Sequence, residues 1–213
     1  MHKINLGFYV VLCVLLAGCS SKPKFYCTGS EHNDLVLLLQ KEGHEVVLLS
    51  TQEEAIDTAP EGSMLLLLTN KYPENKGMLS ENELKEIEKK KLHVYVEYAS
   101  IANSESSLDP RAMNLERVVV TDSTFCKELP YMSLLGINGS YVLPMKTKNP
   151  ILVVAKVAGF DKADYGLENT ESIPLLYRYN DHVIVATSPL SHFASARFSP
   201  ESSWKKVWES ILS

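Results

Sequence analysis

MLLLLTNKYPENKGMLSENELKEIEKKKLHVYVEYAS, residues 64–100, is the stretch whose pattern decides the fold. It opens on a nearly continuous apolar run, Met64 to Thr69, as expected of a strand buried on both faces. It closes on a second strand-like run, His93 to Tyr98. Between them, the segment 79–91 reads as a helix. Ser80 and Glu83 have capping-box spacing, and Leu79 and Leu84 stand at the positions of a hydrophobic staple. Lys89, Lys90 and Lys91 fall in the last turn, where positive charge suits the helix dipole. The triplet is therefore read as helix electrostatics and not as a binding patch. Strand, capped helix, strand is the repeating unit of a parallel sheet with helices on both faces.

The same alternation extends towards the amino terminus. Phe25–Thr28 reads as a strand, and Ser30 is placed to cap a helix that carries Leu35, Leu38 and Leu39 and ends at Gly43. Glu45–Leu49 is the next strand, followed by a short helix over 51–58. Towards the carboxyl terminus, Arg117–Thr121 is a further strand and the character then changes. Tyr141–Leu143, Ile151–Ala158, Pro174–Tyr179 and His182–Thr187 are strands with little helix between them. Tyr179-Asn180-Asp181-His182 looks like a tight hairpin turn. These strands are expected to extend the sheet or to form an antiparallel flap on it. The last element is an amphipathic helix over 200–212, capped by Ser199 and opened by Pro200. Trp204, Val207, Trp208, Ile211 and Leu212 share one stripe, which predicts core packing for both tryptophans over sugar stacking.

The first residues carry a different signal. Lys3 gives a positive start, Leu6–Leu16 is almost wholly apolar, and Leu16-Ala17-Gly18-Cys19-Ser20-Ser21 follows. These are the three parts of a secretory signal. The apolar run is too short to span a hydrocarbon core of about 30 Å. Leu-Ala-Gly-Cys resembles the bacterial lipobox, which implies cleavage after residue 18 and lipidation of the Cys19 thiol. Residues 1–18 are then a lipoprotein signal peptide, 19–24 a tether and 25–213 the folded domain. The tether reaches only about 15–20 Å when extended. No acidic residue follows Cys19 closely. By resemblance to lipoprotein sorting, this places the chain at the cell envelope, on the periplasmic face of the outer membrane.

Loss of the signal removes one lysine, so 21 basic residues become 20 against 26 acidic, and the net charge moves from −5 to −6. No basic stripe appears, which argues against nucleic-acid binding. Of the four cysteines, Cys13 leaves with the signal and Cys19 is the lipid site. Cys27 and Cys126 either bond to each other or stay as separate buried thiols. No cysteine or histidine spacing suggests a metal, and no cofactor is expected.

Several stretches together resemble the class I glutamine amidotransferase-like domain. They are Thr69-Asn70-Lys71-Tyr72-Pro73-Glu74, Val94-Tyr95-Val96-Glu97-Tyr98-Ala99, Val153 to Asp161 with Tyr165-Gly166-Leu167, and Val185-Ala186-Thr187-Ser188-Pro189-Leu190-Ser191. The variant they are similar to occurs in secreted Bacteroidetes proteins, often beside carbohydrate-active modules. The resemblance spans about residues 24–213. It implies an α/β three-layer sandwich with a mainly parallel flavodoxin-like sheet, antiparallel strands in the second half and a carboxyl-terminal amphipathic helix. An active member places a nucleophilic Cys on a Gly-x-Cys-x-Gly elbow after the strand matching His93–Tyr98, and a His-x-Glu pair after a late strand. Here Val96-Glu97-Tyr98-Ala99-Ser100 has neither Cys nor Gly, and His192 has no Glu two residues on. The family's Cys–His–Glu triad is missing where it would be expected.

Ligands of open parallel sheets bind outside the carboxyl ends of the strands. That rule nominates Thr28, Gly29, Asn70, Lys71, Tyr72, Glu97, Tyr98, Asp122 and His192. Glu97 and Asp122 form a candidate carboxylate pair, with His192 as a further candidate. Against this, Glu97 would accept from backbone N–H groups in the loop that follows it, and Asp122-Ser123-Thr124 fits a turn cap. Ser100 with His192 as base lacks any surrounding Gly-x-Ser-x-Gly. Arg197 beside Phe198 fits a salt bridge better than an anion site. The expectation is a lipid-anchored, non-catalytic binding or assembly module, held to the membrane and partnered by a glycan or an envelope protein. The alternatives are a hydrolase using the carboxylates and His192, or the remnant of a longer glycosidase.

Overall fold

The computed structural model describes residues 22–103, 109–195 and 201–213. The signal, Cys19, Ser20 and Ser21 of the tether, Arg197, Phe198, Ser199 and Pro200 lie outside these. The chain begins β1 (Lys24–Thr28), α1 (Asp34–Lys41), β2 (Glu45–Leu48), α2 (Gln52–Thr58), β3 (Met64–Leu67), β4 (Gly77–Leu79), α3 (Glu81–Lys89), β5 (His93–Glu97) and β6 (Ala99–Ile101). It continues β7 (Arg111–Ala112), β8 (Arg117–Val120), β9 (Leu134–Leu135), β10 (Tyr141–Val142), β11 (Leu152–Ala155), β12 (Ser172–Arg178) and β13 (Val183–Ala186). A 3-10 turn at Leu190–Phe193 and α4 (Glu201–Leu212) complete it.

A nine-stranded sheet runs β2-β1-β3-β5-β13-β12-β11-β8-β9. From β2 across to β13 every pairing is parallel. From β13 to β9 every pairing is antiparallel. The parallel part has the flavodoxin-like order 2-1-3-4-5, with β13 in the fifth place. Of the strands expected in the second half, β11, β12 and β13 belong to this sheet, while β10 pairs with β7 in a separate two-stranded sheet.

Successive side chains of a strand point to opposite faces, so a strand with helices on both sides must be apolar throughout. β1 and β3 show this. Cys27 and Leu66 join the core under α1 and α4, where Leu35, Leu39, Trp204 and Trp208 pack. Tyr26 and Leu65 join the core under α2 and α3, with Ile56 and Ile87. Beyond β13 no helix among the described residues covers the second face. Val119, Val153 and Ala155 are covered there by Ala163 of the loop after β11.

The local signals act largely as read. Ser80 and Glu83 close the capping box, with Ser80 N donating to Glu83 Oε2 at 2.8 Å. The lysine triplet is engaged residue by residue: Lys89 pairs with Glu86, Lys91 with Glu61, and Lys90 donates to the last carbonyls of α2 at Ile56 and Asp57. Tyr179–His182 forms the predicted turn, and Asn180 Oδ1 accepts from the N–H groups of His182 and Val183. Both tryptophans are core residues. Trp204 stacks on Phe193 with centroids 5.2 Å apart and donates to Gly136 O at 2.8 Å, and Trp208 packs edge-on against Tyr95.

One expectation needs correction, and one open alternative is decided. The cap of α1 is Asn33 and not Ser30, because the Asn33 side chain accepts from Leu35 N and Val36 N. The helix starts later than a cap at Ser30 would place it. Cys27 and Cys126 are both buried free thiols, and no disulfide joins them. Burial alone pushes the Cys27 thiol up to about 12, so it is inert.

Candidate functional site

β1 leads into α1 on one face of the sheet, and β3 leads through β4 into α3 on the other. The two connections diverge, and a crevice opens between them at the carboxyl ends of the strands. It has a volume of about 370 Å³. Ser30, His32, Asn33 and Asp34 line it from the loop after β1 and the start of α1, Thr69, Asn70, Lys71 and Tyr72 from the loop after β3, and His192 from the 3-10 turn. Gly29 lets the strand ends close together. Its φ is +112°, and a Cβ there would stand 3.0 Å from Leu68 Cβ.

Glu97, the last residue of β5, lies beneath this crevice and is only 2 % exposed. Its carboxylate accepts from Ser191 Oγ at 2.7 Å and Ser191 N at 3.0 Å. It also accepts from Tyr95 O–H at 3.1 Å and Thr69 N at 3.2 Å. The network continues outward, since Asn33 Nδ2 donates to Ser191 Oγ at 2.8 Å while Asn33 Oδ1 caps α1. One buried carboxylate thus ties the connections after β1, β3 and β13 to the end of β5. Burial holds the Glu97 carboxyl above its usual range, and the hydrogen bonds from Ser191, Thr69 and Tyr95 oppose that shift. The sequence reading gave Glu97 backbone donors from its own following loop. The donors instead come from distant segments, one of them 94 residues away.

Tyr98 follows with φ at +49°, in the left-handed region rarely used by non-glycine residues. The side chain is fully buried and its O–H donates to Pro73 O at 3.2 Å. Burial raises this phenol to about 12. The chain then enters β6, paired with β4, so no helix follows this turn. Tyr72 is half-buried and stands edge-on to Tyr98 at 4.8 Å and to His192 at 5.7 Å. Its hydroxyl bonds to Ser140 Oγ at 3.0 Å and accepts from Tyr141 N. Ser140 in turn meets Ser188 Oγ at 2.8 Å. Asn70 and Lys71 are exposed on the rim, Lys71 with φ at +55°.

Asp122 is not here. β8 is antiparallel to β11, and β11 points the same way as β5, so the end of β8 lies at the opposite edge of the sheet. β13, β12 and β11 stand between β5 and β8, a lateral separation of about 19 Å at ~4.8 Å per strand. Asp122 caps its own turn, accepting from Thr124 N at 2.8 Å and Thr124 O–H at 2.6 Å. Those bonds, the Thr124 hydroxyl first, hold its carboxyl below the usual range. The proposed acid–base pair with Glu97 does not form. Ser100 lies in β6 opposite Met78 of β4.

The structure therefore brings together Asn70, Lys71, Tyr72, Glu97, Tyr98 and His192, and it separates Asp122 from them. Sequence reasoning missed Asn33, Tyr95, Ser140, Ser188 and Ser191. The Tyr95–Glu97 spacing was an available signal, because residues i and i+2 of a strand share a face. No known protein family, no characterised protein and no solved structure matches this chain. Among the described residues, no helix is long and apolar enough to cross a membrane.

Proposed function

We propose that the chain is a lipid-anchored binding module of the bacterial envelope, built on a catalytically silent amidotransferase-like domain and linked to glycan handling. The observation behind the silent floor is the commitment of its polar groups. Where an active relative would hold a nucleophile, Tyr98 is buried and bonded to Pro73 O. The carboxylate beneath the crevice, Glu97, is surrounded by donors that already use its oxygens. Neither group is placed to attack or to move a proton to a ligand. What the crevice offers is its rim, where Asn70, Lys71, Tyr72 and His192 present hydrogen-bonding groups and aromatic edges. The anchor follows from the lipobox at Leu16–Cys19.

An assembly role has its own supporting observation. Phe160 and Tyr165 are 86 % and 88 % exposed on the loop after β11. Arg117 ties that loop down by donating to Gly159 O and to Phe160 O. A loop held in this way presents its aromatics at little entropic cost to a partner.

The test is expression of the full chain with its leader in a bacterial host given labelled palmitate, followed by an assay for glutamine hydrolysis. The reading expects label on the wild type, loss of label in Cys19→Ala, and no ammonia release above background. Ammonia release that disappears in Glu97→Gln would refute the silent floor, and unlabelled wild type would refute the anchor.

A further inference from the structure

At the edge of the sheet opposite the crevice lies a second cavity, of about 500 Å³. The amino ends of β1, β3 and β5, the turn between β12 and β13, and the last residues of α4 enclose it. Small-molecule sites typically measure about 300–1,000 Å³. Lys24, His93, Arg178 and His182 line this one, with Asp181 as the acidic side chain among them. In a chain of net charge −5, that is a local excess of cationic and proton-binding groups.

The placement follows from register. β5 and β13 are parallel neighbours with Val94 opposite Val183, so the preceding residues, His93 and His182, meet at the cavity wall. Their rings stand edge to face with centroids 6.2 Å apart. Nδ1 of His182 is buried and has no hydrogen-bond partner among the described residues. Lys24 is engaged by Glu45 at 2.6 Å. Arg178, at the end of β12, has no ion-pair partner among the described residues, and its charge reaches Asp122 only through space. A guanidinium fork binds phosphate oxygens in pairs, and neighbouring imidazoles donate to those that remain.

We propose that this cavity is a phosphate-ester site, held by Arg178 together with His93 and His182, with Lys24 at its rim. Pro23 and Lys24 belong to the segment leading back to Cys19, so the cavity opens beside the chain that would enter the membrane. That position favours a phospholipid headgroup, while a free phosphate offers the same chemistry. The preference for a headgroup rests on the anchor proposed above. The phosphate chemistry does not.

The test follows the ring signals of His93 and His182 by NMR in the full chain in neutral detergent. Dihexanoyl phosphatidylglycerol, dihexanoylglycerol and inorganic phosphate are titrated in separately. Phosphatidylglycerol is expected to shift both rings saturably and dihexanoylglycerol to shift neither. Arg178→Gln should weaken binding by about tenfold or more, and Arg178→Lys by less, since a charged hydrogen bond is worth roughly 1.5–3 kcal/mol. Inorganic phosphate binding without phosphatidylglycerol binding would uphold the phosphate chemistry and overturn the headgroup. No saturable shift with either, or equal affinity in Arg178→Gln, overturns the site. None of these results depends on whether Cys19 carries lipid.

Discussion

At the carboxyl edge of the sheet, Glu97 is enclosed by donors from Tyr95, Thr69 and Ser191. At the amino edge, Arg178 and the His93–His182 pair face a cavity, and one imidazole nitrogen has no hydrogen-bond partner among the described residues. The same sheet thus holds its ionisable groups in two opposite states. In parallel sheets the carboxyl edge is where ligands are expected, because the connections diverge there. This chain has that crevice, but its floor is a structural brace. Chemistry at a given edge depends on whether the side chains there are already satisfied by one another, as much as on the topology that forms the edge.

The contrast predicts unequal responses to substitution. The largest belongs to Glu97→Ala, which leaves Ser191, Thr69 and Tyr95 donors unpaired in the interior. A loss of about 3 kcal/mol or more is expected in urea unfolding. A loss under about 0.5 kcal/mol, the range of ordinary surface changes, would mean that the brace carries no stability. Asn33→Ala should come next, at about 1–2 kcal/mol, since it removes both the cap of α1 and the bond to Ser191.

The pH dependence should be smaller and has a definite sign. Burial raises the Glu97 carboxyl above its ordinary value of 4.5, so the folded chain holds that proton to higher pH than the unfolded chain does. Between 4.5 and the raised folded value the native state binds more protons, and stability falls as pH rises, by up to about 1.4 kcal/mol per pH unit. Glu97→Gln should flatten that slope. The depressed carboxyls of Glu116 and Asp122 act in the opposite sense and at lower pH, removing stability as pH falls through their folded values. A wild-type curve that rises through the window above 4.5 would contradict the assignment. Smallest of all, Arg178→Gln at the amino edge should leave the unfolding midpoint unchanged, within about 0.5 kcal/mol. A larger loss would show that this arginine, too, serves the fold.

How much of this was legible varies with the range of the interaction. The strands at Met64 and His93 and the Ser80–Glu83 box were readable because a few adjacent residues determine them. The cap of α1 was misplaced because Ser30 and Asn33 are both good caps, and only the helix geometry decides between them. Asp122 was assigned to the wrong edge because the direction of β8 depends on its pairing with β11, some 30 residues later, and no local pattern encodes it. The brace was invisible for the same reason, since Glu97 and Ser191 lie 94 residues apart. His93 and His182 looked unrelated until β5 and β13 proved to be neighbours in register.

The claim that the crevice floor is an internally satisfied brace is tested most directly by a double-mutant cycle in urea unfolding, using Glu97→Ala and Ser191→Ala. The account predicts a coupling of about 1–3 kcal/mol between them, and none between Ser191→Ala and Asp122→Ala, which sit at opposite edges. Additive effects of Glu97→Ala and Ser191→Ala would contradict it.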